Sequence, residues 1–249
     1  PWVGLIVALS WGFYNLLRKK INVDTDIGLL IESLFILPFA IVAFYIITIN
    51  GFNEQMQMIR SLKKKYPKQE FVVSLTTFNQ EVHFDINQEN PDNIKELTTS
   101  NNFHDYKKNE NRINYLPNGM TALYDAVGMS VNNILKFANE EINNDQATVV
   151  VVIITDGHEN ASVKYTYRQI QSMIKELELS DNWTFSYLSN TPDAVDYAMG
   201  MNIKKENAIR YSKATMKEDY DDIKLSMKSY FDSKENNIKK KEFIKSRRK

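Results

Sequence analysis

No cysteine occurs among the 249 residues, which excludes a disulfide scaffold, thiol catalysis and any zinc site built on thiolates. Histidine is almost as scarce. His83, His104 and His158 are all there is, so a histidine-built metal centre is not expected either. Net charge is lacking as well: 31 basic and 31 acidic residues cancel, and the chain as a whole is no general polyanion binder. What it does have, 43% hydrophobic and 12% aromatic residues, excludes disorder as the main state.

That average hides a division. Residues 1–49 carry three basic and three acidic side chains, while the stretch 51–249 is polar, rich in Asn and Lys, and holds the other 28 of each sign. The two compositions meet at Asn50-Gly51. Pro1, with no basic region ahead of the first apolar run, argues against a signal peptide and for an internal start.

Trp2 to Leu17 is uncharged for 16 residues and ends at Arg18-Lys19-Lys20; Ile27 to Ile49 is 23 residues with Glu32 as its one charge. At about 1.5 Å rise per residue the second run covers the ~30 Å hydrocarbon core. Its 15 Leu, Ile, Val and Phe residues favour insertion. Glu32 opposes at a cost of about 3 kcal/mol, less near a helix end. Pro38 would kink a membrane helix, which such helices tolerate. A buried hairpin in a soluble core is the competing reading, disfavoured because charge-free runs of this length are rare there. The residues Trp-Val-Gly-Leu-Ile-Val-Ala-Leu-Ser-Trp-Gly-Phe-Tyr-Asn-Leu-Leu-Arg-Lys-Lys, with Gly-Leu-Leu-Ile-Glu-Ser and Leu-Pro after them, resemble the RarD-type permeases of the EamA drug/metabolite transporter superfamily. The resemblance covers residues 2–49, two adjacent helices of a ten-helix family. Transport needs both repeats and is not expected of two helices. Arg18, Lys19 and Lys20 would hold the turn of an inserted hairpin on the cytoplasmic side of a bacterial inner membrane, with everything after residue 50 on the other face.

From residue 51 the pattern is that of an α/β sheet with crossovers. Phe52, Met56, Met58, Ile59 and Leu62 fall near helical spacing until Lys63-Lys64-Lys65 and Pro67 stop them. Glu70–Phe78 reads as a strand, with Val82–Asp85 as its short hairpin partner across Asn79-Gln80. Residues 86–119 read as a polar surface excursion. Thr121–Glu140 is an amphipathic helix with Leu123, Val127, Val131, Leu135 and Ala138 on one face. Ala147–Thr155, a nearly unbroken β-branched run, is expected to be buried on both faces as in the middle of a parallel sheet. A helix at Tyr167–Leu179, a strand at Trp183–Leu188, a short helix at Asp193–Met199, a short strand at Ala208–Tyr211 and a helix at Thr215–Phe231 follow.

Two loops at the strands' carboxyl ends hold the candidate residues, since ligands of such sheets bind there. Thr121 offers a hydroxyl beside a helix start and Asp156 a carboxylate at a strand end, hard oxygen donors that suit Mg²⁺ or Mn²⁺. The plainer readings are helix N-capping by Thr121 and turn formation by Asp156 with Gly157. Gly51-Phe52-Asn53-Glu54, Gly119-Met-Thr-Ala-Leu-Tyr-Asp-Ala-Val-Gly128 and Thr155-Asp-Gly-His-Glu-Asn-Ala-Ser162 together resemble a bacterial von Willebrand factor A-type domain over residues 51–232. That resemblance implies a Rossmann-like sheet sandwiched by helices, and a metal-ion-dependent adhesion site to which Thr121 and Asp156 would contribute. The family's first strand and its Asp-x-Ser-x-Ser loop have no counterpart here. Asp24, Thr25 and Asp26 lie on the hairpin turn, and Tyr45–Ile49 runs straight into Asn50-Gly51. Two ligands of five leave an incomplete site, so Mg²⁺ or Mn²⁺ binding is expected to be weak or absent.

The partner-binding face implied by this resemblance comprises Asn118, Gly119, Thr121, Asp156, His158 and Glu159, turned toward an unknown protein. Glu159 beside His158 invites acid/base chemistry, but no nucleophile or phosphate-binding loop accompanies them, and solvated loop residues are the expected reading. Tyr165, Tyr167, Trp183 and Tyr187 fit core and rim packing. Residues 233–249 form a basic tail, with seven positive charges against Glu242 in the last 11 residues, expected to be solvated rather than bound to nucleic acid. The sequence therefore leads to three expectations: a membrane-attached binding module with no enzymatic turnover, a permease fragment whose soluble part has no activity of its own, or two unrelated coding pieces joined by recombination or assembly error.

Overall fold

The computed structural model describes residues 52–67, 69–94, 119–211 and 216–235. The expected membrane hairpin at 1–50, most of the polar excursion and the basic tail beyond 235 lie outside the described residues. No helix among the described residues is long and apolar enough to cross a membrane.

Helix α1 spans 52–65. It runs through Lys63-Lys64-Lys65, which were expected to stop it, because lysine is a good helix former. Pro67 ends it, having no N–H and disfavouring helix in the residue before. Lys63 reaches Asp92 at 2.5 Å and Lys65 reaches Asp232 at 2.6 Å, so two charges of the run are paired. The apolar side of α1 (Phe52, Met56, Ile59) packs on Val73, Leu75, Ile86 and Ile94 to make a small core.

Strands β1 (Val73–Phe78) and β2 (Val82–Glu89) form an antiparallel hairpin closed by Phe78 opposite Val82. Asn79 makes the turn: its Oδ1 accepts from the Glu81 N–H at 2.8 Å, and its own N–H donates to the Glu81 carbonyl at 3.0 Å. β2 continues four residues beyond the expected end at Asp85, past an irregularity where Gln88 takes φ 52° and donates its N–H to Ser74 Oγ at 3.0 Å.

Helix α2 (Leu123–Asn143) buries Leu123, Val127 and Val131 on the expected face. Strand β3 (Val149–Thr155), helix α3 (Tyr167–Leu179), strand β4 (Trp183–Ser189), helix α4 (Ala194–Gly200) and strand β5 (Ala208–Arg210) follow, then helix α5 (Met216–Glu235). The three strands are parallel in the order β3-β4-β5, with Val149 opposite Trp183 and Thr155 opposite Ser189. α3 starts where its sequence says it should: Thr166 and Gln169 form a capping box. The main core lies between this sheet and α2, α3 and α4, centred on Leu123, Val131, Ile170, Ile174, Phe185 and Tyr187.

Two expectations need correction. The single sheet read from the sequence is, among the described residues, two sheets, the hairpin and the parallel trio. They share α2 rather than backbone hydrogen bonds: Phe78 packs against the main core, and Ser130 Oγ donates to Thr76 Oγ1 at 2.9 Å. The burial expected for β3 is also incomplete. Ile153 and Thr155 are buried, but Val149 to Val152 and Ile154 are only partly so. Among the described residues β3 bonds β4 along one edge and no strand along the other.

Candidate functional site

The loops that carry the candidate residues meet at the N-terminus of α2. That helix begins without a cap of its own, since Ala122 stands at the N-cap and has no side-chain oxygen. Thr121, expected as the plain alternative to cap it, lies one residue too early. Its hydroxyl instead stands against Gly157, where an added Cβ would come within 2.9 Å of Thr121 Oγ1. The backbone of Thr121 is locked to the second loop by a reciprocal pair: its N–H donates to Asn160 Oδ1 at 2.7 Å, and its carbonyl accepts from the Asn160 N–H at 3.0 Å. The Ala122 N–H donates to the Asn79 carbonyl at 2.7 Å, which ties the hairpin turn to the same place.

Glu159 supplies the cap that α2 lacks. Its Oε2 accepts from the Tyr124 N–H at 2.9 Å and from the Ser162 hydroxyl at 2.7 Å. Its Oε1 accepts from the N–H groups of Ala161 at 2.9 Å and Ser162 at 2.7 Å. A carboxylate here both satisfies an orphan N–H and faces the positive end of the helix dipole. Glu159 is thus a half-buried organiser of its loop rather than the solvated residue expected from the sequence.

Asp125, only 4% exposed, holds the next part of the loop. The Val163 N–H donates to its Oδ2 at 3.0 Å, and the Lys164 and Tyr165 N–H groups donate to its Oδ1 at 2.9 and 2.8 Å. Burial alone would raise its pKa, but these three N–H groups and the Lys164 charge outweigh burial, and the carboxyl lies below its ordinary value. Its role was not legible in the sequence. An Asp in a helix's first turn signals only a preference for the dipole, whereas its partners are 38 to 40 residues away.

Asp156 is exposed, and the tight turn after β3 is built by its neighbour. Thr155 Oγ1 donates to the Gly157 carbonyl at 3.1 Å and lies 3.3 Å from the Gly157 N–H. His158 is exposed. Its Nε2 lies 3.5 Å from Asp193 Oδ1, and its ring stands edge-on to Tyr197 with centroids 5.8 Å apart. His158 and Glu159 therefore point to different partners and form no acid/base pair. Behind them the hydroxyls of Tyr124 and Tyr197 share a hydrogen bond at 2.7 Å. Burial, then the bond to Tyr124, raises the Tyr197 phenol well above its usual range, and burial pushes Tyr187 up to about 12. Trp183 and Tyr187 are buried, Tyr165 lies over Gly128, and Tyr167 sits at the rim with its ring 5.9 Å from that of Tyr124.

Of the six residues of the expected face, Gly119, Thr121, Asp156, His158 and Glu159 are described; Asn118 lies outside the described residues, as do Arg18, Lys19 and Lys20. Thr121 and the Asp156-Gly157 turn come together, and Gly119 precedes them with φ 90°, a conformation that favours glycine. Among the described residues no group of three His, Asp or Glu side chains is placed to hold a metal ion.

Comparison with known proteins finds relatives for a short stretch. An uncharacterized transporter of Vibrio cholerae is 55% identical over 47 residues, 19% of this chain and 15% of the relative. An uncharacterized transporter of Pseudomonas aeruginosa is 50% identical over 42 residues, 17% of this chain and 14% of the relative. Protein RarD of Escherichia coli is 37% identical over 62 residues, 25% of this chain and 21% of the relative. The chain carries a RarD-type segment and spans about a seventh to a fifth of the length of these curated relatives. No family model matches the chain, and no solved structure matches it.

Proposed function

We propose that the chain joins a fragment of a RarD-type membrane permease, residues 2–49, to a von Willebrand A-like piece, residues 51–232, and that it neither transports nor turns over a substrate. The observation that supports the permease part of this reading is the similarity to transporters over 47, 42 and 62 aligned residues, the first two close to the size of the segment with RarD-like motifs. Residues 2–49 resemble two helices of a ten-helix family, and a transport pathway needs both of that family's repeats. On this reading the segment sits in the lipid of a bacterial inner membrane, with Arg18, Lys19 and Lys20 at the cytoplasmic surface. The residues after 50 would then lie on the non-cytoplasmic side.

A second reading gives those residues a role as a protein-binding module. It is supported by the close approach of Gly157, next to Asp156, to the Thr121 hydroxyl and by the bond of Thr121 to Asn160, and on this reading Gly119, Thr121, Asp156 and His158 would present one face. Nothing in that face pairs a nucleophile with a base, so its proposed role is contact without turnover.

The membrane attachment that both readings share is checked on the full chain carrying a carboxyl-terminal periplasmic-only reporter enzyme. The chain should remain in the membrane pellet after alkaline carbonate extraction, with the reporter active. Replacing Arg18, Lys19 and Lys20 by Asn should lower the reporter signal as the orientation becomes mixed. Recovery of the chain in the carbonate supernatant would overturn the membrane reading. Sequencing source DNA across the codons for Asn50 and Gly51 then separates a natural junction from an assembly error.

A further inference from the structure

The loops around Thr121 and Asp156 have the donors of an incomplete metal site but not its geometry. We infer that they are joined by a latch of the chain's own making, Asn160, Glu159 and Asp125, and that their order does not depend on a divalent cation. The inference deepens the binding-face reading and rests on it only for its consequence, that a partner would meet a face already ordered without a metal.

Three observations carry it. First, the link between the two loops is a reciprocal backbone-to-asparagine pair, Thr121 with Asn160, at 2.7 and 3.0 Å. Such a pair fixes the two segments at the place where a cation would have to bridge them. Second, the carboxylate nearest in sequence to Asp156 is already occupied. Glu159 accepts from three N–H groups and one hydroxyl, so drawing it to a cation would leave the Tyr124, Ala161 and Ser162 N–H groups unpaired. Third, Asp125 is turned the same way, with its two oxygens taken by Val163, Lys164 and Tyr165. Among the described residues of these loops, what is left for a metal is the Thr121 hydroxyl and the exposed Asp156 carboxylate, a donor set far short of the six oxygens that Mg²⁺ demands. The residues present do not fit the ion that the resemblance implies. They fit its structural task.

The latch has the form of a strap over the start of α2. From Asn160 to Tyr165 it is held at nearly every residue, and the two carboxylates that hold it come from different segments, Glu159 from the strap itself and Asp125 from the helix beneath. Pre-ordering of this kind lowers the cost of binding, because the loop entropy has been lost before the partner arrives.

The test is amide hydrogen exchange on the full chain in detergent micelles, with Mg²⁺ in excess and then with chelator. The amides of Thr121, Tyr124 and Ala161 to Tyr165 should be protected equally in both. Glu159→Ala should speed exchange at Tyr124, Ala161 and Ser162 by about tenfold or more, as loss of ~1.4 kcal/mol of hydrogen bonding would. Mg²⁺ should not restore it. Amides of β4 serve as the control for global unfolding. If they too lose protection, Asn160→Ala is the milder variant, expected to speed exchange at Thr121 alone. Protection of the parent chain that rises with Mg²⁺, or unaltered exchange in both variants, would overturn the inference. Neither result depends on whether a protein partner exists.

Discussion

In Asp125 burial and hydrogen bonding pull the carboxyl in opposite directions, and the hydrogen bonds prevail. Its folded pKa is depressed below the ordinary 3.8, so ionised Asp125 stabilises the fold above that value. The contribution should begin to fall as pH drops below about 3.8 and be gone only below the lower, folded value. Asp125→Ala should remove it at all pH values, leave three N–H groups without their acceptor, and cost about 3 kcal/mol in chemical denaturation at neutral pH. The variant's stability should also depend less on pH in the acid range than the parent's. An acid titration of both proteins in which the two curves run parallel would show that Asp125 does not carry this dependence.

At the scale of the element, α2 is shaped by a residue it does not have. Gly128 is buried in the second turn of the helix, inside which glycine costs about 1 kcal/mol relative to alanine. The reason is Tyr165, whose ring would lie 2.6 Å from a Cβ at that position and whose hydroxyl accepts from Asn132 Nδ2. Gly128→Ala thus sets a gain in helix propensity against displacement of a ring at the end of the strap. Overpacking of this kind costs about 1–3 kcal/mol, so the net effect should be a loss of stability despite the better helix former. Gly128→Ala combined with Tyr165→Ala should recover part of that loss, because the ring that is struck is gone. A single variant more stable than the parent would mean that the ring yields freely.

For the molecule as a whole, the unequal burial of β3 makes an unusual prediction for a run of nearly identical side chains. Ile153→Ala should cost about 3 kcal/mol, because the side chain is lost from the main core. Val150→Ala, at a position that is only half-buried, should cost about 1 kcal/mol. Equal losses, measured by denaturant unfolding of the full chain, would mean that both positions are equally enclosed. The same contrast explains why the sequence misleads here. Val149 to Ile154 reads as an interior strand because β-branched residues without alternation are the mark of one, yet burial depends on which strand lies alongside, and that is not a local property.

Much of the secondary structure is legible locally. Tyr167–Leu179 is a helix with the expected bounds, since a capping box starts it and helical spacing places Ile170 and Ile174 in the core. The Asn79 turn and the apolar stripe of α2 are local in the same sense. α1 ends later than its lysine run suggests, because such a run is solvated without being a helix breaker and only Pro67 changes the backbone. For the candidate site, the sequence singled out both loops, and the resemblance implied that Thr121 and Asp156 serve one site; the structure sets Gly157 against the Thr121 hydroxyl. It left the roles within them undecided. Whether Thr121 caps a helix, whether Glu159 is solvated and what Asp125 binds depend on contacts between residues some 35 to 40 positions apart.

The sequence by itself determined the two compositions that meet at Asn50-Gly51 and, among the described residues, the order of helices and strands. These follow from hydropathy, periodicity and turn chemistry, which act over a few residues at a time. Only the tertiary structure decided that Glu159 and Asp125 hold a strap on the start of α2 and that β3 is incompletely covered. A carboxylate's role is set by the donors that reach it, and a strand's burial by its neighbours; both are brought there by the fold from elsewhere in the chain.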